Sequence, residues 1–178
     1  IALLLQGDTR GAMAAFAEVA RLQPERIDGP RNMARVALQD GDLERVYELL
    51  EQCEEMDAGD AQTAWIWGVT QQKAGRYADA EGAYRHVLVR FPQDRATWRN
   101  LGRVLYLDGR FAEALDAIDQ VLRIDPEDRS AHYHRMLCLR SLGREAEAAA
   151  AEQAYKYYQI DESAQEVTRG YRMQHPDA

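Results

Sequence analysis

The sequence predicts an all-α fold, a solenoid of antiparallel helix pairs stacked one on the next and closed by a C-terminal capping helix. Three observations predict it. Five glycines, Gly7, Gly41, Gly75, Gly109 and Gly143, recur at a constant spacing of 34 residues, and a period of that length marks one two-element unit repeated along the chain. Between the glycines, apolar residues fall at helical spacing, as in Trp98, Leu101, Val104 and Leu105, then Phe111, Ala114, Ile118, Val121 and Leu122. No segment alternates apolar and polar residues with the period of two that a half-buried strand needs, so no sheet is expected.

Setting each glycine at position 15 gives units 1–26 (truncated at its start), 27–60, 61–94, 95–128 and 129–162, followed by 163–178. Each glycine is placed to end the first helix of its unit in the left-handed conformation that other residues resist. The second helix then runs to Pro24, Pro92 or Pro126, which cannot continue it. Asp94 and Asp128 stand where the next first helix needs an N-cap. Gly68, Gly102, Ala80 and Ala114 occupy corresponding places and let paired helices approach closely. Unit 27–60 has Ala58 where others have proline, and unit 129–162 puts Arg135 and Met136 where the preceding unit has Leu101 and Gly102. After it, Asp161 is placed to cap a further helix over about 162–173, ended by His175-Pro176, with Tyr155 and Tyr158 packing against it.

These residues resemble the tetratricopeptide repeat (TPR) family, whose pattern is W-x2-L-G-x2-Y, then A-x3-F, then P. The best copy reads Trp98, Leu101, Gly102 and Leu105, then Ala114, Ile118 and Pro126. The copy before it keeps Trp67, Gly68, Ala80, Tyr84 and Pro92, and the truncated one keeps Ala12, Phe16 and Pro24. The resemblance covers about 160 of the 178 residues in one register. It implies a right-handed superhelix whose first helices line a concave side through positions 2, 5, 6, 9, 12 and 13. It also implies a role in binding protein segments there. The carboxylate clamp of co-chaperone members is not reproduced, because Ile66 and Ala96 stand at two of its polar positions.

Composition narrows the function. A net charge of −8 and a pI near 5.0 argue against nucleic acid as ligand. No apolar run of 18 residues exists to insert in a membrane. The start, IALLLQGD, falls at position 9 of a repeat, so the natural N-terminus and any signal peptide are expected to precede it. The cut repeat is expected to leave the side of its helix that holds Ala12, Phe16 and Val19 partly uncovered, favouring self-association through residues 1–26. The two cysteines, Cys53 and Cys138, sit three units apart at places for small apolar residues and read as buried free thiols.

On the four complete repeats the concave positions carry six basic residues (Arg31, Arg35, Lys73, Arg99, Arg103, Arg140) and one acidic one, Asp28. Charge is therefore segregated by face. The chain's two asparagines, Asn32 and Asn100, both hold position 6, each between arginines one helical turn apart: Arg31 and Arg35, Arg99 and Arg103. An amide there can donate to a peptide carbonyl while a guanidinium takes a carboxylate or phosphate. Between the two basic stations lie Trp65, Ile66 and Val69; beyond the second lie Tyr133, His134 and Leu137. Trp65 stands two residues from Trp67, which holds a core position, so its indole is expected to point elsewhere and to serve as an anchor. Two other fates stay open: the arginines can pair with Asp or Glu of the adjoining repeat, and Trp65 can pack over a neighbouring repeat.

The candidate peptide-binding set is thus Arg31, Asn32, Arg35, Trp65, Arg99, Asn100, Arg103, Tyr133 and His134. No catalytic residue, metal site or cofactor is expected: His132 and His134 face different directions on one helix, the glycines cap helices rather than cradle phosphate, and no nucleophile motif occurs. The chain reads as a non-catalytic interaction module for a protein or peptide with acidic groups flanking an apolar centre. The alternative is a structural spacer or regulatory arm of a larger multidomain protein.

Overall fold

The computed structural model describes the backbone of residues 8–174 and the side chains of residues 8–159. Its helices are α1 (Thr9–Leu22), α2 (Asp28–Asp40), α3 (Leu43–Met56), α4 (Ala61–Lys73), α5 (Tyr77–Arg90), α6 (Arg95–Leu107), α7 (Phe111–Ile124), α8 (Arg129–Ser141) and α9 (Glu145–Gln174). No strand occurs among the described residues. The chain forms two compact units, one ending at Pro92 and the other beginning at Gln93.

Each hairpin turn follows from its glycine. Gly41, Gly75, Gly109 and Gly143 have φ of 80°, 74°, 79° and 71°; Gly7 lies outside the described residues. The residue after each of these four glycines donates its N–H back to a carbonyl five residues earlier, as from Arg110 to Leu105 at 2.9 Å, which satisfies the end of the first helix. Second helices end two residues short of Pro24, Pro92 and Pro126, as their sequences require. Asp128 caps α8 by accepting from the Ala131 N–H at 2.9 Å, and Asp60 caps α4 by accepting from Thr63 at 2.7 Å. Asp94 is the N-cap of α6, but its carboxylate takes the Thr97 hydroxyl rather than a backbone N–H.

In the first unit, α2 packs on α1, α3 and α4, and α4 on α3 and α5. The core is Met33, Ala34, Ala37, Leu38, Val46, Leu49, Leu50 and Ile66, with Met13, Phe16 and Trp67 packed on it. In the second unit, α8 packs on α6, α7 and α9, around Ile118, Val121 and Ala131 with Trp98 against them. Small residues set the closeness of these contacts. A Cβ on Gly102 would meet Ile118 Cδ1 at 2.6 Å, and one on Gly68 would meet the Tyr84 ring at 2.5 Å.

Two regions depart from the sequence reading or lie partly outside the description. No break separates a last second helix from a capping helix: α9 is continuous from Glu145 to Gln174, so Asp161 lies inside it rather than capping a new one. The stretch 145–169 holds neither glycine nor proline, and nothing in it stops a helix. His175-Pro176 falls outside the described residues. Of the truncated first unit, the structure describes residues 8–26. Here α1 buries Ala12 against its neighbour while Val19 and Leu22 are exposed.

Candidate functional site

The position-5 arginines are engaged by the protein's own carboxylates. Arg31 on α2 directs Nη1 to both carboxylate oxygens of Asp60 at 3.1 Å and Nη2 to Asp28 at 2.7 Å, and its side chain is only 12% exposed. Asp60 also accepts from the N–H and the hydroxyl of Thr63, both at 2.7 Å. Burial pushes the Asp60 carboxyl up, but the Thr63 hydrogen bonds and the Arg31 guanidinium outweigh it, and the group ends below its ordinary value.

Arg99 repeats the arrangement in the second unit, paired with Asp128, whose side chain is 4% exposed. Arg95 joins it, bonded to Asp125 and 3.7 Å from Asp128. Each pair spans 29 residues, from position 5 of one repeat to position 34, the cap of the next first helix. The sequence leaves such internal pairing open without naming the aspartates, although the shared register of Arg31 with Asp60 and Arg99 with Asp128 is visible in it.

The position-9 arginines differ. Arg35 on α2 and Arg103 on α6 are exposed, and neither has an ion-pair partner among the described residues. Asn32 donates its amide to the Asp28 carbonyl at 2.7 Å, within its own helix. Asn100 is half-buried with no hydrogen-bond partner among the described residues.

Of the apolar station, Ile66 is core and Trp65 is half-buried against the first unit's core. The expected outward indole is thus largely packing, because Ile66 and Val69 draw that stretch of α4 inward. Tyr133 is 39% exposed, with its ring 5.4 Å from Tyr155 on α9 and edge-on to His134 at 5.6 Å. His134 Nδ1 lies 2.7 Å from the Ser130 carbonyl, which makes that nitrogen the donor.

Other concave positions also have internal duties. Lys73 donates to the Leu38 carbonyl at 3.2 Å, and Arg140 pairs with Glu152 at 2.6 Å. Cys53 and Cys138 are buried, and burial pushes each thiol up to about 11. No group of His, Cys, Asp and Glu is arranged to hold a metal among the described residues, and no described helix is long and apolar enough to cross a membrane.

The tetratricopeptide repeat family model matches residues 67–129 and 109–165, together more than half of the chain. Among solved structures, a crystal structure of MamA is similar with a TM-score of 0.82 at 18% identity, covering 91% of this chain and 95% of that one. A double mutant of MamA RS-1 gives 0.84 at 17% identity, covering 91% of each chain. MamA from residue 41 onward of Desulfovibrio magneticus RS-1 gives 0.82 at 18%, covering 89% of this chain and 90% of that one. At such identities the likeness is one of fold: a solenoid-type array of helix pairs. A search of curated proteins finds no match.

Proposed function

Since the chain belongs to the tetratricopeptide repeat family, we propose that it is a non-catalytic interaction module whose first helices recognise acidic groups on a protein partner. Helical repeats of this kind serve as protein-interaction scaffolds, presenting an extended surface instead of an enclosed pocket. The observation that carries the finer reading is the contrast within each arginine couple. Arg31 and Arg99 are engaged by Asp60 and Asp128, while Arg35 and Arg103, one turn on, are exposed and unpaired among the described residues.

In a chain of net charge −8, carboxylates to neutralise those two cations are plentiful, yet none among the described residues is recruited. The paired arginines fix the helix surface, and the free ones are left for a ligand carboxylate or phosphate. In the second unit, α6 bearing Arg103 packs directly on α8, which carries the exposed Tyr133 as an aromatic anchor. Asn100, with its amide uncommitted, stands three residues before Arg103.

The test is a peptide-array screen of the whole chain beside Arg35→Glu and Arg103→Glu variants. Acidic peptides should be retained by the wild type and released by each charge reversal at that unit's own site. Equal binding by all three proteins removes this reading and leaves the spacer or regulatory arm, which the internal pairing of Arg31 and Arg99 would then explain.

A further inference from the structure

Ala64, Trp67 and Gln71, spaced three and four residues apart on α4, form one wall of a hollow of about 220 Å³ within the first unit. The end of α3 and the turn after it contribute Glu54, Ala58 and Asp60, and α5 contributes Asp79, Ala83 and His86. The repeat register explains why space remains. Ala64 holds position 4, where the next repeat has Trp98, and Glu54 holds position 28, where the following two repeats have Leu88 and Leu122. Two repeats on, within the second unit, the same two positions hold Leu122, packed against the core, and His132, stacked on Tyr158 at 5.2 Å. An indole and an isobutyl group are thus replaced by a methyl and a carboxylate, which leaves a void with a charged rim where close packing is the rule.

The charge of that rim is one-sided. Glu54 and Asp79 are exposed carboxylates with no ion-pair partner among the described residues. Asp60 is held by Arg31, and no lysine or arginine lines the hollow. His86, exposed on α5, is the remaining titratable group of the lining. The Trp67 wall is braced by the Tyr47 ring at 5.4 Å, and the Tyr47 hydroxyl donates to Gln71 at 3.2 Å. Trp67 Nε1 is buried with no acceptor among the described residues and takes no part in holding a cation, which offers donors only; the face of the indole is what the wall presents.

We propose that this hollow receives a lysine or arginine side chain of a partner protein. The aliphatic stem lies along Ala64, Ala83 and the Trp67 indole, and the cationic head meets Glu54 and Asp79. A cation over indole is the strongest of the cation–π pairings, and arginine makes it most often. The site rests on the reading of the chain as an interaction module, but it shares no residue with Arg35 or Arg103 and takes the opposite charge.

The experiment follows the indole N–H signals of the ¹⁵N-labelled chain, with Trp67 assigned through Trp67→Phe. The probes are a blocked tripeptide, acetyl-Gly-Arg-Gly-amide, its alanine counterpart and free arginine. The arginine tripeptide should shift the Trp67 signal saturably and the alanine tripeptide should not. Glu54→Leu should weaken the effect about tenfold, and Ala64→Trp should abolish it. These substitutions install the residues that Leu88 and Trp98 represent one repeat later, and Glu54→Leu stands alone if Ala64→Trp fails to fold. A Trp67 signal that stays still, or moves equally in folded Glu54→Leu, overturns the site. Free arginine binding as tightly as the tripeptide overturns the partner-protein source. Retention of acidic peptides is read separately through Arg35 and Arg103, so failure here leaves that reading standing.

Discussion

Arg31 and Asp60 tie the first helix of one repeat to the cap of the next: a single guanidinium nitrogen reaches both carboxylate oxygens at 3.1 Å. Asp60 simultaneously caps α4 through Thr63. Removing it therefore deletes a cap and strands a guanidinium that is 12% exposed. Asp60→Ala should cost about 2–3 kcal/mol in urea unfolding, the sum of a lost cap and a lost charged hydrogen bond. Asp60→Asn, which keeps an acceptor for Thr63, should cost less. Equal stability of the alanine variant and the wild type would remove the pair from the account of the seam.

The same carboxyl sets a pH dependence. Its folded value lies below the ordinary 3.8, so the folded state holds the proton more weakly than the unfolded chain does. Its contribution is fully present above the ordinary value and is lost as pH falls through the folded value. Melts taken downward from pH 5 should show the wild type losing more stability than Asp60→Asn. A constant difference between the two proteins across that range would contradict the linkage.

Arginines one turn apart should behave oppositely on substitution. Arg99→Ala uncovers the Asp128 carboxylate, 4% exposed, and should destabilise the second unit by about 1–3 kcal/mol. Arg103→Glu touches an exposed, unpaired group and should move stability by no more than about 0.5 kcal/mol. Its effect belongs in binding, where loss of a charge-assisted contact costs on the order of 1.5–3 kcal/mol. Thermal melts and peptide titrations on both variants separate the two roles.

Two glycines should fail for different reasons. Gly109 has φ of +79° and nothing within 4 Å of its missing Cβ, so Gly109→Val should lose about 1–2 kcal/mol or more, chiefly to the left-handed backbone that a β-branched residue resists. Gly102 is helical, and alanine there meets the end of the Ile118 side chain, which is fully buried and must shift to make room. Overpacking of about 1–3 kcal/mol should exceed the roughly 1 kcal/mol that alanine adds in helix propensity. A stabilised Gly102→Ala protein would show that the α6–α7 contact has slack.

Cys53 and Cys138 should be silent to thiol reagents in the native chain. With thiols at about 11, about one molecule in a thousand carries a thiolate at pH 8. Labelling with a disulfide reagent should be slow until denaturant is added, and then consume two equivalents. Prompt native labelling would mean that one helix pair opens readily.

The hairpins are legible in the sequence because their signals are local: a glycine after the first helix, a proline after the second, an aspartate at the next cap. The pairing of Arg31 and Arg99 is less legible. It joins residues 29 apart, and arginine at position 5 reads equally as a ligand contact until the cap of the following repeat is set beside it. Trp65 misleads for a related reason. Its spacing from Trp67 turns the indole away from one packing surface, yet Ile66 and Val69 carry that part of α4 against another. Asp161 reads as a cap by residue type alone, and with no breaker ahead of it the helix simply runs on. The hollow at Ala64 and Glu54 is an absence of bulk, which no motif announces and only a comparison of repeats exposes.

The left-handed backbone at Gly109 has a stereochemical consequence. A backbone at φ of +79° is strained for an L-residue and relaxed for its mirror image. In a chain assembled by chemical ligation, D-alanine at residue 109 therefore suits the backbone of the turn, whose φ it adopts without strain. It narrows the conformations open to the unfolded chain without altering the folded one, a gain of about 0.4–1 kcal/mol. Gly41, Gly75 and Gly143 share the sign of φ, so the handedness of a single methyl group becomes a way to set the stability of each hairpin independently.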